Sequence, residues 1–344
     1  MRRYTMKFHH PAIKVVAAAT MLMSFNAAAD LTKINFTLDW RIQGVHAWYY
    51  LADELGYFEE EGLDVQVDQG EGSAATVSRI MSGAYDAGFG DMNAIIQNAA
   101  IHEGKNPVMV YQVYNQPPFA VLTRSDGPIK SIKDLEGANL GGPAGSAATV
   151  LFPVMANAAG IDVDTIEITN VASSLQEQLL NNGTVDGSLV FNVTSYMNLV
   201  SQGLDPEEDF TWYRFGDYGV EIYSNGVMVS PELINEKPEA VAGLVRAINR
   251  AFHEVRADPA AAMKVLVGVE GFLDADAEAK RLQFAMDNLI VSDESGKIGI
   301  GAVDPERLGR SIDTIVKLYD LKRTPTVDEV FSADFLPQRD KREL

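Results

Sequence analysis

No cysteine occurs in the 344 residues. That absence removes disulfides, thiol nucleophiles and thiolate metal sites, and also the lipid anchor that a cysteine carries after leader cleavage. Cations are scarce: 28 Lys and Arg stand against 48 Asp and Glu, a formal charge of −20. Such a balance excludes a nucleic-acid partner, whose phosphates require clustered Lys and Arg. Histidine is scarce as well. Of five, His9 and His10 lie in the N-terminal leader, while His46, His102 and His253 are far apart and lack metal-ligand spacing. No G-x-S-x-G element, lysine-bearing phosphate loop or paired-glycine dinucleotide fingerprint is present. Catalytic residues, metal and cofactor are therefore all expected to be absent, and the chain is not read as an enzyme.

Long apolar runs are also missing, with one short exception. Val15–Phe25 follows the basic residues Arg2, Arg3, Lys7 and Lys14 and precedes Ala27-Ala28-Ala29. Eleven residues fall short of the roughly 20 that span a bilayer, whereas the pattern fits a signal peptide cleaved after Ala29. The expected product is exported to the periplasm and starts at Asp30. Loss of the four leader cations would take its formal charge from −20 to −24, which disperses a protein by self-repulsion.

What is there is an alternation of strand and helix signals. Lys33–Leu38 reads as a strand, His46–Glu61 as a helix, Leu63–Val67 as a strand and Ala74–Met81 as a helix. Asp86–Gly90 and Pro107–Tyr114 read as strands with the helix Met92–His102 between them. This order implies a parallel sheet flanked by helices. A second round follows Pro117-Pro118: Phe119–Thr123 is expected to cross between lobes, Asn139–Gly141 is a strand, and a helix runs to Ala159. Gly160-Ile161-Asp162-Val163 echoes Gly62-Leu63-Asp64-Val65, and Gly183–Gly187 echoes Gly83–Ala87, so two similar α/β lobes are expected. The hexapeptide Gly-Ser-Ala-Ala-Thr-Val at 72–77 and 145–150 is out of step with that pairing and reads as two independent helix starts. Strands at Phe210–Phe215 and Gly226–Val229 precede a helical C-terminal part, in which Ser230-Pro231 and Asp304-Pro305 are capped helix starts. The expected organisation is lobe one from 30–117 and 218–344, and lobe two from 118–217. Crossovers near 116–120 and 213–225 form the hinge.

In open α/β sheets a ligand sits beyond the carboxyl ends of the strands, against helix N-termini. Asp39–His46, Gly70–Ser73, Gly142–Ser146 and Thr169–Ser174 occupy such places. The candidate ligand residues are Asp39, Trp40, His46, Ser73, Asp91, Ser146, Phe191, Asn192, Tyr218, Glu221 and Tyr223. Trp40 and Phe191 offer ring faces, Asp39 and Glu221 accept from amino groups, and Ser73 and Ser146 either cap their helices or donate to a ligand. Arg41 reads as a solvated surface residue.

The segments F-T-L-D-W (36–40), H-A-W-Y-Y-L-A-D-E-L-G-Y-F-E-E-E-G-L-D-V (46–65), G-E-G-S, G-A-Y-D-A-G-F-G-D and S-I-K-D-L-E-G-A-N-L-G together resemble the periplasmic solute-binding proteins of ABC importers. The likeness covers nearly the whole chain after the leader. It is strongest to the thiamine-precursor (pyrimidine) branch, which is related to the sulfonate, nitrate and riboflavin binders. It implies a type II two-lobed fold, each lobe a mostly parallel sheet flanked by helices and joined by two crossovers. It also implies a monomer that binds a small planar solute and delivers it to a membrane permease, with Trp40 stacking on the heterocycle and His46 and Tyr223 nearby. Arg41-Ile42-Gln43-Gly44-Val45 stands where that branch carries proline and asparagine, and Glu221 where it carries a proline or small residue. The rival readings are a pyrimidine-modifying enzyme of the same fold, a ligand-sensing domain of a signalling protein, and a binder of a sulfonate, an aromatic carboxylate or riboflavin.

Overall fold

A computed structural model describes residues 31–144 and 146–344; the proposed leader lies outside them. Among the described residues ten strands form two five-stranded sheets. β1 (Thr32–Thr37), β2 (Leu63–Asp68), β3 (Ala87–Asp91), β4 (Val108–Gln112) and β10 (Asn225–Val229) make the first, in the order β2-β1-β3-β10-β4. β5 (Phe119–Arg124), β6 (Asn139–Gly142), β7 (Glu167–Asn170), β8 (Gly187–Phe191) and β9 (Phe210–Arg214) make the second, in the order β7-β6-β8-β5-β9.

The two orders are the same topology. In each sheet four strands run parallel and one returning strand, β10 or β5, is inserted antiparallel at the fourth place. The echoed Gly-x-x-Asp segments do the same work in both. Asp86 Oδ2 accepts the Asn35 N–H at 2.8 Å, and Asp186 Oδ2 accepts the Asn139 N–H at 2.9 Å. Asp86 thus ties the entry of β3 to β1, and Asp186 the entry of β8 to β6. Each lobe buries the side chains that alternate off its sheet against flanking helices, as with Phe36, Phe89 and Tyr111 in one and Leu140 and Leu189 in the other.

Two expectations are corrected. Phe119–Thr123 does not cross between lobes: it lies in β5, in the interior of the second sheet, and its continuous apolar run reflects burial on both faces. The crossings fall on either side of it, at 113–118 and 215–224. The helix expected over His46–Glu61 is three pieces, a 3₁₀ turn at Gly44–His46 and helices Ala47–Glu54 and Tyr57–Glu60, interrupted where Gly56 takes φ 72°.

The repeated hexapeptide starts two helices, as expected, but with caps one residue apart. Gly72 precedes the helix Ser73–Met81 with no side-chain cap, whereas Ser146 caps Ala147–Ala158 by accepting the Thr149 N–H at 3.2 Å. The starts at Ser230 and Asp304 carry the side-chain caps read from sequence. The long helix Pro238–Ala257 packs its apolar face on Ala47–Glu54, while Pro305–Leu318 lies on Met92–Ile101. Among the described residues no helix is long and apolar enough to cross a membrane.

Candidate functional site

Between the lobes lies a cavity of about 280 Å³, lined by Asp39, Trp40, Gln43, Val45, His46, Gly72, Ser73 and Tyr114 from one lobe and Phe191, Val193 and Thr194 from the other. Each lining segment follows a strand's carboxyl end: 39–46 after β1, 72–73 after β2, Tyr114 after β4 and 191–194 at the end of β8. Parallel strands bring these ends to one edge, and so residues 150 positions apart in sequence meet.

Asp39 sets the polar wall. Its Oδ1 lies 3.1 Å from His46 Nε2, and its Oδ2 accepts from Asn225 Nδ2 at 2.7 Å. His46 Nδ1 accepts the Gln43 N–H at 3.2 Å, which leaves the ring proton on Nε2 for Asp39. The buried imidazole therefore orients the carboxylate, and each carboxylate oxygen keeps a lone pair for a further donor. Beneath this pair is an aromatic floor: Phe89 meets His46, Tyr49 and Tyr114 with ring centroids 5.6–5.8 Å apart. Burial holds the Tyr114 hydroxyl well above its ordinary pKa, with the charge of Asp39 adding to it.

Above the floor two rings stand open. Trp40 is 48% exposed and Phe191 38% exposed, although both are large and apolar. Exposed aromatics converging on one cavity from two lobes are the feature that needs a ligand to explain it. Phe191 is steadied by an edge-on contact with Phe119 at 5.9 Å.

The turn that carries His46 is clamped from the C-terminal part of the chain. Gly44 donates its N–H to Glu278 Oε2 at 2.6 Å, and Glu278 is in turn paired with Arg281 at 2.9 Å. A Cβ at residue 44 would stand 2.2 Å from the Glu278 carbonyl oxygen, so only glycine fits.

Of the residues singled out from sequence, Asp39, Trp40, His46, Ser73 and Phe191 line this cavity. Ser146 lines a neighbouring one on the second lobe, and its hydroxyl is engaged as a helix cap. Asp91 stands behind the wall. It caps Met92–Ile101 by accepting from Asn93 N at 3.0 Å and Asn93 Nδ2 at 2.8 Å. Burial pushes its carboxyl up to about 6, with the Asn93 bonds opposing and the charge of Asp39 adding. Asn192 is fully buried beside Phe191, and neither amide atom has a partner among the described residues.

Glu221, Tyr218 and Tyr223 are not brought to the cavity lining. Glu221 points outward to Arg310 at 2.6 Å. Tyr218 packs near Tyr213, 6.4 Å between centroids. Tyr223 is buried under Arg307 and hydrogen-bonded to Glu294 and to the Asp304 N–H. Val193 and Thr194 line the cavity without having been named from sequence, whereas Gln43, Val45 and Gly72 lie in the segments Asp39–His46 and Gly70–Ser73 and Tyr114 among the cleft aromatics, though none of these was chosen as a ligand residue. Arg41 is exposed, as expected.

Two sheets of one topology, joined by two crossings, with a ligand-sized cavity at their facing edges, define the two-lobed fold of the periplasmic binding proteins. The chain belongs to the NMT1/THI5-like family, whose profile matches residues 43–262. It is 28% identical over 247 residues to the formylaminopyrimidine-binding protein of Halalkalibacterium halodurans, covering 70% of this chain and 73% of that one. It is 23% identical over 257 residues to the 4-amino-5-hydroxymethyl-2-methylpyrimidine phosphate synthase of Aspergillus parasiticus, covering 72% and 74%. The fold is also that of the periplasmic aliphatic sulphonate binding protein of Escherichia coli, with a TM-score of 0.69 at 15% identity, covering 87% of this chain and 96% of that one.

Proposed function

We propose that this chain is the extracytoplasmic substrate-binding component of an ABC importer and captures a small planar heterocycle, a pyrimidine of the thiamine-precursor kind, by closing its lobes. The observation that carries the reading is the pair of exposed rings, Trp40 and Phe191, facing one cavity from opposite lobes with the Asp39–His46 pair at its wall. A flat ring held between aromatic faces, its exocyclic amine donating to Asp39, would fill such a space. A relative named for formylaminopyrimidine supports the same ligand class. Lobe closure follows from contacts that only the closed state makes to both faces of the ring.

A simple sulfonate or nitrate would instead need cations or free N–H groups. The cavity lining contains no Lys or Arg among the described residues, which favours an uncharged or amine-bearing ring. A thermal-shift panel tests this. Aminopyrimidines are expected to raise the melting temperature in proportion to RT ln(1 + [L]/Kd), and stabilisation by taurine or nitrate alone would reject the reading. We read the chain as a binder and not as an enzyme, although relatives named as synthases exist. Mass spectrometry of an incubated aminopyrimidine should return it unchanged.

A further inference from the structure

Away from the ligand cavity, one aromatic ring bridges the two lobes. Phe284 lies near the end of Ala275–Ala285, a helix that packs on Pro259–Val269 and on the turn at Gly44–His46, both on the side of the first sheet. That helix is tied down on both sides. Glu278 holds the Gly44 N–H at 2.6 Å, and the π-helical turn Met286–Ile290 that follows offers the Leu289 carbonyl to the Gln116 N–H at 2.9 Å. The partners of the Phe284 ring belong to the second lobe. Its centroid lies 4.4 Å from that of Tyr196, on Asn192–Ser201, and 6.1 Å from that of Trp212, on β9. Tyr196 and Trp212 meet each other at 6.3 Å, and the Trp212 indole is fixed by donating to the Pro206 carbonyl at 2.8 Å. Phe284 is buried in this contact, while Tyr196 and Trp212 are half-buried.

The contact is separate from the ligand and stands off the hinge. None of the three rings lines the cavity between the lobes or the one beside it. Trp212 pairs with Leu122 in β5, three residues past Phe119, where the chain enters the second sheet, and comes three residues before Phe215, where it leaves. Three strand residues span roughly 10 Å, so rotation of the lobes about the crossings would draw Phe284 away from its partners. We infer that Phe284 is a latch, holding the lobes together through Tyr196 and Trp212 whether or not a ligand is bound. The inference rests on the lobe-closure reading above and adds a share of closure that the ligand does not supply. Opening would return a buried phenyl ring to water and break its aromatic contacts, and both effects favour the closed form. A ligand then meets a protein whose closed form is already populated, and its apparent affinity rises with that fraction.

Small-angle scattering of the ligand-free protein tests the latch directly. Phe284→Ala should lower the ratio of closed to open molecules by about 10–100-fold, the factor expected for the loss of a buried aromatic side chain, and so give a larger radius of gyration than wild type. Tyr196→Ala, on the opposite lobe and half-buried, should do the same, and it carries the test if Phe284→Ala fails to fold. Because both remove one contact, the double variant should open little further. Denaturant unfolding measured alongside separates a latch from mere core filling: reduced stability with wild-type radii would overturn the latch. Addition of 4-amino-2,5-dimethylpyrimidine distinguishes the latch from the pyrimidine reading. Enlarged radii that this compound restores to the wild-type value support both. Enlarged radii that it leaves unchanged uphold the latch and reject the pyrimidine. Ligand-free radii equal to wild type overturn the latch, whatever the compound does.

Discussion

At the scale of single residues, the cavity separates side chains that face a ligand from side chains that hold them. Trp40 is of the first kind. Its ring is half exposed and is not part of the core, so Trp40→Ala should leave the unfolding transition almost unchanged. The same variant should weaken ring binding by about 1–3 kcal/mol, read by calorimetry; unaltered affinity would remove Trp40 from the site. Asp91 is of the second kind, and its consequence is in pH. With its carboxyl pushed up to about 6 from an ordinary 3.8, the folded chain holds this proton more tightly than the unfolded chain does. Stability contributed here is full below the unfolded value and falls as pH rises through the folded one. Between about pH 4 and pH 6 the loss reaches roughly 1–3 kcal/mol. Asp91→Asn keeps a good helix cap and removes the ionisation. The variant should be more stable than wild type at pH 7 and no more stable at pH 4, as measured by denaturant unfolding at both values. Equal gain at both values would place the cause elsewhere.

At the scale of elements, the 43–46 turn shows how a remote helix shapes the site. Gly44 lies against the backbone of Ala275–Ala285, and Glu278 holds its N–H. Gly44→Ala would force the turn away from that helix at about 1–3 kcal/mol, the usual cost of overpacking. Gln43 and His46 ride on the same turn, so ring affinity should fall too, although residue 44 has no side chain to offer. Unfolding and calorimetry on this one variant check both effects, and a loss of stability with intact binding would show that the turn tolerates displacement.

The same comparison shows what the sequence could reveal. Strand ends, caps and the paired Gly-x-x-Asp segments are local signals, and the parallel sheet follows from their order. Asp39, Trp40, His46, Ser73 and Phe191 were accessible for that reason: each lies at or just after a strand's carboxyl end. Glu221 and Tyr223 lie off the cavity lining because their partners Arg310, Arg307 and Glu294 come 71 to 89 residues later, and nothing local announces that pairing. β5 was misread because a buried returning strand and an apolar crossing look alike as short runs. Gly44 and Glu278 make a contact between turn and helix that spans 234 residues, beyond the reach of any window.

At the scale of the whole molecule, one guanidinium ties the two crossings together. Arg307, on Pro305–Leu318, donates Nη2 to the carbonyls of Asn115 at 2.7 Å and Ile222 at 3.1 Å, and Nη1 to Glu294 Oε2 at 3.2 Å. Asn115 belongs to the first crossing and Ile222 to the second, so the two crossing segments are held at a fixed separation by a planar fork that is itself buried and charge-paired. Its face also covers the ring of Tyr223, 4.1 Å from the centroid. Lysine would keep the charge opposite Glu294 but could not serve both carbonyls in fixed geometry. Arg307→Lys is therefore expected to cost about 2–4 kcal/mol through unpaired buried groups. It should also loosen the angle between the lobes without altering either sheet. Small-angle scattering of the ligand-free variant should give a larger radius of gyration than wild type, and saturating aminopyrimidine should bring the two together, since a ligand shifts the population only by its preference for the closed state. Ring affinity should fall by the same factor as the closed fraction, with Trp40 and Asp39 unchanged. If the radius of gyration and the stability of Arg307→Lys both match wild type, the crossing segments are held by the rest of their packing and not by this residue.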